Sequence, residues 1–356
     1  DNSITPPNGA WERGGHKVQQ RDWGLPPLHW HEGGGVVFYG GDLPGITQKL
    51  DYLETLGVNA LYLCPIFCSE SNHRYDITDF YHVDPHLGGD EALIELRRAL
   101  DARGMRLVLD ITPNHCSYHH PWFTEALENP NAPTRDYFIW NEYPHDYVTW
   151  LGVPSLIKLN YDSPALREVM YRGNSAIMRH WMREPYRIDG WRLDVLNMTG
   201  RYKMRQLGHE VTREMRQVVK EENPQAYLVG EHFHDGTPYL QGDQLDATMN
   251  YQGFNIPMRR WLGGHDLGVE GGANWGDTTL LPAEYMAQQM QRFYAAVPWA
   301  IARLQFNQLG SHDVARILTV VDGDSRRAAL AAVMLMAYPG VPCVYYGDEV
   351  GIGGGK

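Results

Sequence analysis

Short apolar runs alternate with amphipathic segments along most of the chain. Seven of these runs predict strands, and their nearly continuous hydrophobic character is typical of a parallel sheet covered on both faces. The seven runs span residues 58–63, 106–110, 186–191, 226–229, 246–249, 304–306 and 342–346. Residues 35–39 form a candidate eighth strand. The repeated order of strand, polar loop and helix favours a βα architecture over an antiparallel one.

The segments between the strands show helical spacing of apolar residues. Two of them end at a glycine, which commonly terminates a helix. Their apolar positions and closing glycines are Ile46, Leu50, Leu53, Leu56 and Gly57 in the first, and Leu93, Leu96, Leu100 and Gly104 in the second. Seven or eight such units in 356 residues predict an α/β protein with a (β/α)8 TIM barrel. A doubly wound open sheet is the main alternative, but no Gly-x-Gly-x-x-Gly motif follows any strand.

One connection is much longer than the others. From Cys116 to about Asn160 the sequence has no clear period, and a connection of this length is usually either functional or a small subdomain. Its aromatic side chains could stack on sugar rings or could form a small core within the segment. These side chains are Trp122, Tyr137, Trp140, Tyr143, Tyr147 and Trp150.

Composition and charge narrow the class of protein. With 43% hydrophobic and 21% charged residues the chain can bury a substantial core, and its net charge of −12 argues against nucleic acid as a partner. No apolar stretch approaches the roughly 20 residues that span a bilayer, and the start shows no signal peptide. We therefore expect a cytoplasmic protein with no membrane partner.

The four cysteines predict neither disulfides nor a metal site. They lie next to apolar strand-like runs, and their spacing shows no disulfide framework. Cys64 and Cys68 with His73 lack a second ligand pair. We expect all four, which also include Cys116 and Cys343, to be buried and reduced thiols.

Four polar motifs carry the candidate chemistry. Each follows or ends an apolar run and is thus expected at the carboxyl end of a strand, where active sites of parallel β/α proteins form. The motifs are Asp110-Ile-Thr-Pro-Asn114-His115, Gly190-Trp-Arg192-Leu-Asp194, Val229-Gly-Glu231-His232 and Ser311-His312-Asp313. Three carboxylates, two histidines and an arginine on one face can carry out acid/base and covalent chemistry on a neutral polyhydroxyl substrate.

Taken singly, the residues of these motifs leave two interpretations open. Arg192 and Asp194 share one face of a strand, so the guanidinium either keeps the carboxylate ionised as a nucleophile or forms an ordinary ion pair with it. Glu231 is either a general acid or a helix N-cap. His115 and His312 either donate to sugar hydroxyls or are structural.

Together, the motifs resemble the signature regions of the α-amylase superfamily of glycoside hydrolases, in their order and separations. Further stretches are similar to its neopullulanase and cyclomaltodextrinase branch, and some of them to the maltodextrin glucosidases within that branch. The stretches similar to the branch as a whole are residues 38–43, 75–79, 153–159 and 344–349. The glucosidase-like group comprises residues 171–173, 229–233, 249–254 and 339–343.

The resemblance implies a role for each site residue. Asp194 would be the nucleophile, Glu231 the general acid/base, and Asp313 a carboxylate that grips sugar hydroxyls and stabilises the transition state. The residues that would bind glucose are Tyr75, Asp76, His115, Arg192, His312 and Arg316. Among these, Tyr75 would stack beneath the sugar ring. Retention of configuration predicts that the carboxyl groups of Asp194 and Glu231 lie roughly 5–5.5 Å apart.

The implied activity is that of a retaining α-glucosidase, which hydrolyses α-1,4-glucosidic bonds of maltodextrins and releases glucose. A cyclomaltodextrinase or neopullulanase, with the same catalytic residues, is the alternative. A non-catalytic carbohydrate-binding relative is disfavoured because such relatives generally lose one or more of the three acids.

The sequence calls for no cofactor. Some members of the family hold calcium near the position of Asn114, but the other calcium ligands cannot be identified in this sequence. The oligomeric state stays open.

The resemblance also implies an organisation. Residues 1–115 and 161–356 would form the barrel, and residues 116–160 an inserted subdomain B after its third strand. The stretch at 38–43 is a loop before the first helix in the family, so residues 35–39 would not be the first barrel strand. We therefore expect a chain that lacks this strand and is truncated at both ends.

Overall fold

The computed structural model describes residues 12–13, 16–28, 32, 34–264 and 279–354. The chain forms two compact units, Asp1–Tyr227 and Leu228–Lys356. The strands of the first unit are β1 (Glu12–Arg13), β2 (His16–Lys17), β3 (Gln19–Gln20), β4 (Val37–Phe38), β5 (Ala60–Leu63), β6 (Phe67–Ser69), β7 (Ile77–Val83), β8 (Arg106–Ile111), β9 (His115–Ser117), β10 (Trp140–Glu142), β11 (Asp146–Tyr147), β12 (Leu156–Lys158), β13 (Gly190–Leu193), β14 (Arg201–Tyr202) and β15 (Arg205–Gln206). Its helices are α1 (Leu43–Gln48), α2 (Leu50–Thr55), α3 (Gly89–Asp101), α4 (Pro121–Glu128), α5 (Pro164–Arg167), α6 (Ile177–Met182) and α7 (Gly208–Glu222).

The second unit contains fewer strands and five described helices. The strands are β16 (Tyr227–Gly230), which begins at the boundary, β17 (Ala247–Thr248), β18 (Phe306–Gln308) and β19 (Val341–Cys343). The helices are α8 (Ile256–Gly263), α9 (Ala283–Ala295), α10 (Trp299–Ala302), α11 (Ile317–Val320) and α12 (Ser325–Ala337).

Three parallel strands form the centre of the first unit. β8 pairs with β5 on one side and with β13 on the other, so that Leu107 lies opposite Leu61 and Val108 opposite Gly190. β8 is buried from its second residue onward, which explains its continuous apolar run. β13 begins later than the predicted 186–191 because Arg187 has a φ of 44°, which is incompatible with an extended strand.

Parallel pairing also organises the second unit. β16 pairs with β17, β18 pairs with β19, and a parallel bridge joins Met249, just after β17, to Phe306. Each of the seven predicted runs therefore contains or adjoins a strand with a parallel neighbour. Within the described residues these pairings confirm the parallel βα pattern, while the closed barrel of eight strands stays a prediction.

Residues 35–39 form a loop that leads into the first helix, as the family resemblance implies. Only Val37 and Phe38 are extended, and they pair in parallel with β3. The chain then reaches α1, where the Asp42 carboxylate accepts a hydrogen bond from the Gly45 amide at 2.7 Å and caps the helix. The candidate eighth strand is therefore not a strand along its length.

The predicted helices are present, and the first of them is interrupted. The periodic residues from Ile46 to Leu53 lie in α1 and α2, which are separated at Lys49. Leu56 caps the end of α2, and Gly57 follows with a φ of 89°. The second predicted helix is α3, whose leucines at the predicted positions are fully buried.

The long segment 116–160 forms short antiparallel pairs, β9 with β12 and β10 with β11. Most of its aromatic residues pack on one another. Phe123 is fully buried and lies 5.7 Å from the ring of Trp140 and 4.9 Å from that of Tyr147. Trp122 and Tyr137 contact each other edge to face. These residues therefore form a small core of the segment, whereas Trp150 lies 5.9 Å from the ring of His115.

The cysteines are all thiols, but the prediction that they are buried holds only for Cys116. Cys64 is exposed because it lies in the loop after β5, and Cys68 and Cys343 are half-buried. No helix in the described part of the chain is long and apolar enough to cross a membrane.

Candidate active site

The first unit brings an arginine and two carboxylates together at the ends of adjacent strands. Asp194 directly follows β13, Arg192 lies within it, and Asp110 lies near the end of β8, paired in register with Arg192. The Arg192 guanidinium donates to Asp194 Oδ1 at 2.5 Å and to both oxygens of Asp110 at 3.1 Å. All three side chains are at least nine-tenths buried. A buried guanidinium shared by two carboxylates keeps Asp194 ionised and fixes its position.

Asp110 is held by hydrogen bonds from one further strand, β5, and from the loop before β7. The Tyr62 hydroxyl donates to Asp110 Oδ2 at 2.8 Å, and the Tyr75 hydroxyl donates to the same oxygen at 3.0 Å. Burial raises the pKa of Asp110 to about 6, although Arg192 and the two hydroxyls act in the opposite direction. The carboxylate is therefore ionised at neutral pH and balances part of the Arg192 charge.

His115 lies at the start of β9 and is a neutral hydrogen-bond donor. Burial lowers its pKa to about 3. Nε2 lies 3.2 Å from the Tyr75 carbonyl oxygen, which can only accept, so Nε2 carries the proton. The same atom lies 3.9 Å from Asp194 Oδ2. His115 thus places its Nε2–H group near Asp194 Oδ2 while donating to the Tyr75 carbonyl.

Lys158 supplies a second buried positive charge near His115. Its ammonium donates to Asn114 Oδ1 at 2.6 Å and to the Met198 carbonyl at 2.9 Å, and the side chain is almost fully buried. An ammonium in contact with the Asn114 oxygen would repel a divalent cation, so these residues do not fit calcium at Asn114. Among the described residues, no group of three or more His, Cys, Asp or Glu side chains could hold a metal ion.

Tyr75 and Asp76 lie at the end of the loop before β7. The Arg192 guanidinium lies 5.8 Å from the centre of the Tyr75 ring, and the His73 ring stacks beside it at 6.1 Å. The Asp76 carboxylate accepts a hydrogen bond from the Ser71 hydroxyl. Tyr75 therefore belongs to the cluster around Arg192, while the contact of Asp76 orders its own loop; sugar binding by either residue stays a prediction.

The second unit places three predicted site residues just beyond two strands. Glu231 directly follows β16 and is buried. His312 and Asp313 follow β18, where the Ser311 hydroxyl accepts a hydrogen bond from the Asp313 amide at 3.1 Å. His312 Nε2 lies 3.3 Å from Asp313 Oδ2, and both side chains are about three-quarters buried. The separation of Asp194 and Glu231 stays a prediction.

Arg316 has a structural role that its sequence position does not indicate. Its guanidinium donates to the Tyr346 carbonyl at 2.7 Å and to Asp348 Oδ1 at 2.9 Å, and lies 4.4 Å from the centre of the Tyr345 ring. These contacts order the segment after β19. Sugar binding by Arg316 stays a prediction, and burial raises the pKa of its partner Asp348.

Three residues around Asp194 were absent from the predicted site: Asp110, Tyr62 and Lys158. Asp110 lies in a quoted motif, so its strand-end position could have indicated it. Tyr62 lies in a predicted strand and Lys158 in a stretch typical of the family, but neither residue type in those positions indicates a partner 40 or more residues away.

Removal of the shared guanidinium should destabilise the first unit in a pH-dependent way. Arg192→Met leaves Asp110 and Asp194 buried without their cation, and we expect a loss of about 3–5 kcal/mol in the free energy of unfolding at pH 7. Because the pKa of Asp110 is raised in the folded state, protonation of Asp110 favours folding. The stability that this protonation contributes is lost as pH rises through about 6. The loss should therefore be smaller at pH 5 than at pH 7 in urea denaturation.

Arg205→Met is a matched control, because Arg205 pairs with Asp162 on the surface, at 2.6 Å and with both side chains more than 40% exposed. Its effect should stay within about 1 kcal/mol. An equal loss at both pH values for Arg192→Met would contradict the account of the two carboxylates.

Comparison with known proteins identifies the family. Residues 13–356 match the family described as alpha amylase, catalytic domain. A cyclomaltodextrinase of Geobacillus thermopakistaniensis (strain MAS1) is 37% identical over 326 residues, which cover 90% of this chain and 51% of that protein. Neopullulanase 2 of Thermoactinomyces vulgaris is 35% identical over 328 residues, which cover 89% of this chain and 51% of that protein.

A solved structure is also similar to this chain in fold and in sequence. The ligand-free cyclic alpha-maltosyl-(1→6)-maltose hydrolase of Arthrobacter globiformis superposes with a TM-score of 0.79 at 35% identity, covering 95% of this chain and 70% of that one. The chain spans about half the length of the curated relatives it matches. It belongs to the alpha-amylase family, in the branch that contains the cyclomaltodextrinases and neopullulanases.

Proposed function

We propose that the protein hydrolyses α-1,4-glucosidic bonds of cyclic and short linear α-glucans with retention of configuration. The observation that carries this proposal is the arrangement around Asp194. Its Oδ1 accepts a hydrogen bond from the buried Arg192 at 2.5 Å, and its Oδ2 lies 3.9 Å from Nε2 of the neutral His115. An ionised, immobilised carboxylate at a strand end suits nucleophilic attack on an anomeric carbon.

The proposed reaction proceeds in two displacements. Asp194 attacks the anomeric carbon while Glu231 transfers its proton to the departing glycosidic oxygen, which gives a β-linked glycosyl-enzyme. A linear glucan releases its leaving portion at this step, whereas a cyclic glucan is opened and stays attached to Asp194 as a linear chain. Glu231, now a carboxylate, then takes a proton from water as its oxygen attacks the same carbon, and Asp194 leaves. His115, His312 and Asp313 bind the sugar hydroxyls, whose contacts strengthen as positive charge develops on the ring.

We propose that the seven parallel strands are part of a single (β/α)8 barrel, with residues 116–160 as an inserted subdomain after its third strand. Membership in the alpha-amylase family supports this arrangement. Placing all strand ends at one rim accounts for acidic and basic residues drawn from four separate motifs.

The comparisons favour the cyclomaltodextrinase interpretation over the α-glucosidase that the sequence motifs predict first. The relatives named above are a cyclomaltodextrinase and a neopullulanase, and the structural neighbour acts on a cyclic glucan. All of these interpretations use the same three acids, so the distinction concerns which glucan enters the site rather than the chemistry.

Substrate preference can be measured on the full-length protein. Initial rates on β-cyclodextrin, pullulan and maltotriose, with chromatography of the first products from maltoheptaose, separate the two interpretations. We expect hydrolysis of β-cyclodextrin at a rate at least equal to that of maltotriose, and mixed oligosaccharides from maltoheptaose. Glucose alone at early times, with β-cyclodextrin left intact, would establish the glucosidase instead.

A further inference from the structure

A continuous series of hydrogen bonds connects a buried lysine of the inserted segment to His115. Lys158 on β12 lies directly opposite His115 on β9 in the antiparallel pair, so the two side chains share a face. The Lys158 ammonium donates to Asn114 Oδ1 at 2.6 Å, Asn114 Nδ2 donates to His115 Nδ1 at 3.2 Å, and His115 Nε2 donates to the Tyr75 carbonyl at 3.2 Å. Lys158, Asn114 and His115 are each at most 3% exposed.

The ammonium decides which way the Asn114 amide is oriented. An ammonium group can only donate, so it selects the orientation in which Oδ1 faces it and the NH2 group faces His115. In the reverse orientation the NH2 group would face the ammonium, and His115 would need its proton on Nδ1. Nε2 would then present a lone pair to the Tyr75 carbonyl, which can only accept. The charge on Lys158 therefore favours one tautomer of His115.

The Lys158 ammonium also forms hydrogen bonds to the loops on either side of the site. Its second acceptor is the Met198 carbonyl, in the turn that follows Asp194 after β13. The inserted segment, the end of β8 and the turn after the candidate nucleophile are thus joined at one atom. The contacts reach across 44 residues in one direction and 40 in the other.

We propose that Lys158 is a positioning residue that holds His115 as the Nε2–H donor beside Asp194, acting through the side chain of Asn114. The importance of this donor for turnover rests on the proposed function, whereas its tautomer does not. Residues that orient a working side chain from behind commonly affect activity by about 10- to 100-fold when they are removed, by analogy with partners of metal-binding histidines.

The groups that face Lys158 are compatible with this role. From β9 the titratable group opposite it is His115, which is neutral, and the β8 end and the turn after β13 present uncharged oxygens of Asn114 and Met198. The site carboxylates Asp110 and Asp194 bond to Arg192. Burial lowers the pKa of Lys158 to about 8, so the ammonium is present at neutral pH and is lost as pH rises above that value.

The test is the tautomer of His115 in the full-length protein, read from the nitrogen-15 shifts of its ring by NMR and assigned by comparison with His115→Gln. In the wild type, the two ring nitrogens should have the well-separated shifts of the Nε2–H form. Lys158→Met should move them toward each other, and kcat should fall by about 10- to 100-fold with KM little changed. Lys158→Arg, which keeps a cation, should partly restore both the wild-type His115 shifts and the wild-type kcat.

Lys220→Met is the matched control, because Lys220 donates to the Ala226 carbonyl at 2.5 Å at the end of α7. It should leave the His115 shifts and kcat unchanged. Unchanged His115 shifts in a folded Lys158→Met variant would overturn the proposal, whatever the activity of the protein. If that variant does not fold, Lys158→Gln is measured instead, because its amide can present either a donor or an acceptor to Asn114. The His115 shifts should again move toward each other, and unchanged shifts would overturn the proposal.

Discussion

Glu231→Gln is expected to abolish hydrolysis of maltotriose and β-cyclodextrin while leaving substrates with good leaving groups able to react with the enzyme. A sugar leaving group needs a proton from the general acid, whereas fluoride or a nitrophenolate departs without one. For sugar substrates we expect a fall in kcat/KM of roughly 10²- to 10⁴-fold. With a nitrophenyl α-maltoside, a rapid burst of nitrophenol should precede slow turnover, because the general base for the second step is also absent.

The product formed with azide gives a second test of Glu231→Gln. In Glu231→Gln, azide can enter where water normally attacks the β-linked glycosyl-enzyme, and the product should be the α-glycosyl azide. Glu284→Gln is a suitable control, because Glu284 is exposed in the first turn of α9. Full activity of Glu231→Gln on maltotriose would remove Glu231 from the role of general acid/base.

Asp194→Asn is expected to remove activity on every substrate, including those with good leaving groups. The amide cannot form the glycosyl-enzyme, and neither step of the double displacement can then proceed. We expect kcat to fall by roughly four orders of magnitude or more, as for other residues that act in a covalent mechanism. Burst kinetics with the nitrophenyl substrate should be absent, which distinguishes this variant from Glu231→Gln.

The smaller variant Asp194→Gly provides the stereochemical counterpart. It opens space on the face from which Asp194 attacks, so azide can displace the leaving group there directly and should give the β-glycosyl azide. Asp162→Asn is the control, since Asp162 forms a surface ion pair with Arg205. A burst of nitrophenol with Asp194→Asn would contradict the assignment of nucleophile and acid/base. The same azide anomer from Asp194→Gly and from Glu231→Gln would contradict it as well.

Strands such as β8, β13 and β16 could be predicted from the sequence because they are almost fully buried, and buried parallel strands are apolar on both faces. Their ends were less predictable, since a local backbone conformation decides them: the positive φ of Arg187 delays β13, and Lys49 divides the first helix. The pattern of apolar residues does not encode these breaks. The aromatic residues of segment 116–160 likewise fitted two interpretations, and only their mutual packing around Phe123 distinguishes a core from a sugar-binding surface.

For the site, the motifs identified residues that lie at strand ends but not the residues that hold them. Lys158 occupies an otherwise apolar stretch, and its burial makes sense only with the oxygens of Asn114 and Met198, which are distant in sequence. Arg316 is predicted to bind sugar, and its hydrogen bond to Asp348, 32 residues away, could not be predicted from its sequence position. The proposed catalytic acids would be the same in a glucosidase and in a cyclomaltodextrinase, so they could not distinguish the two.

The central claim is that Asp194 forms a covalent bond to the sugar during turnover. An activated 5-fluoro-α-maltosyl fluoride should trap the slow glycosyl-enzyme of the full-length protein, and mass spectrometry of its peptides should locate the added mass. We expect one sugar adduct, on the peptide that contains Asp194, and loss of the adduct when maltose is added as acceptor. An adduct on a different residue, or turnover with inversion of the anomeric configuration, would contradict it.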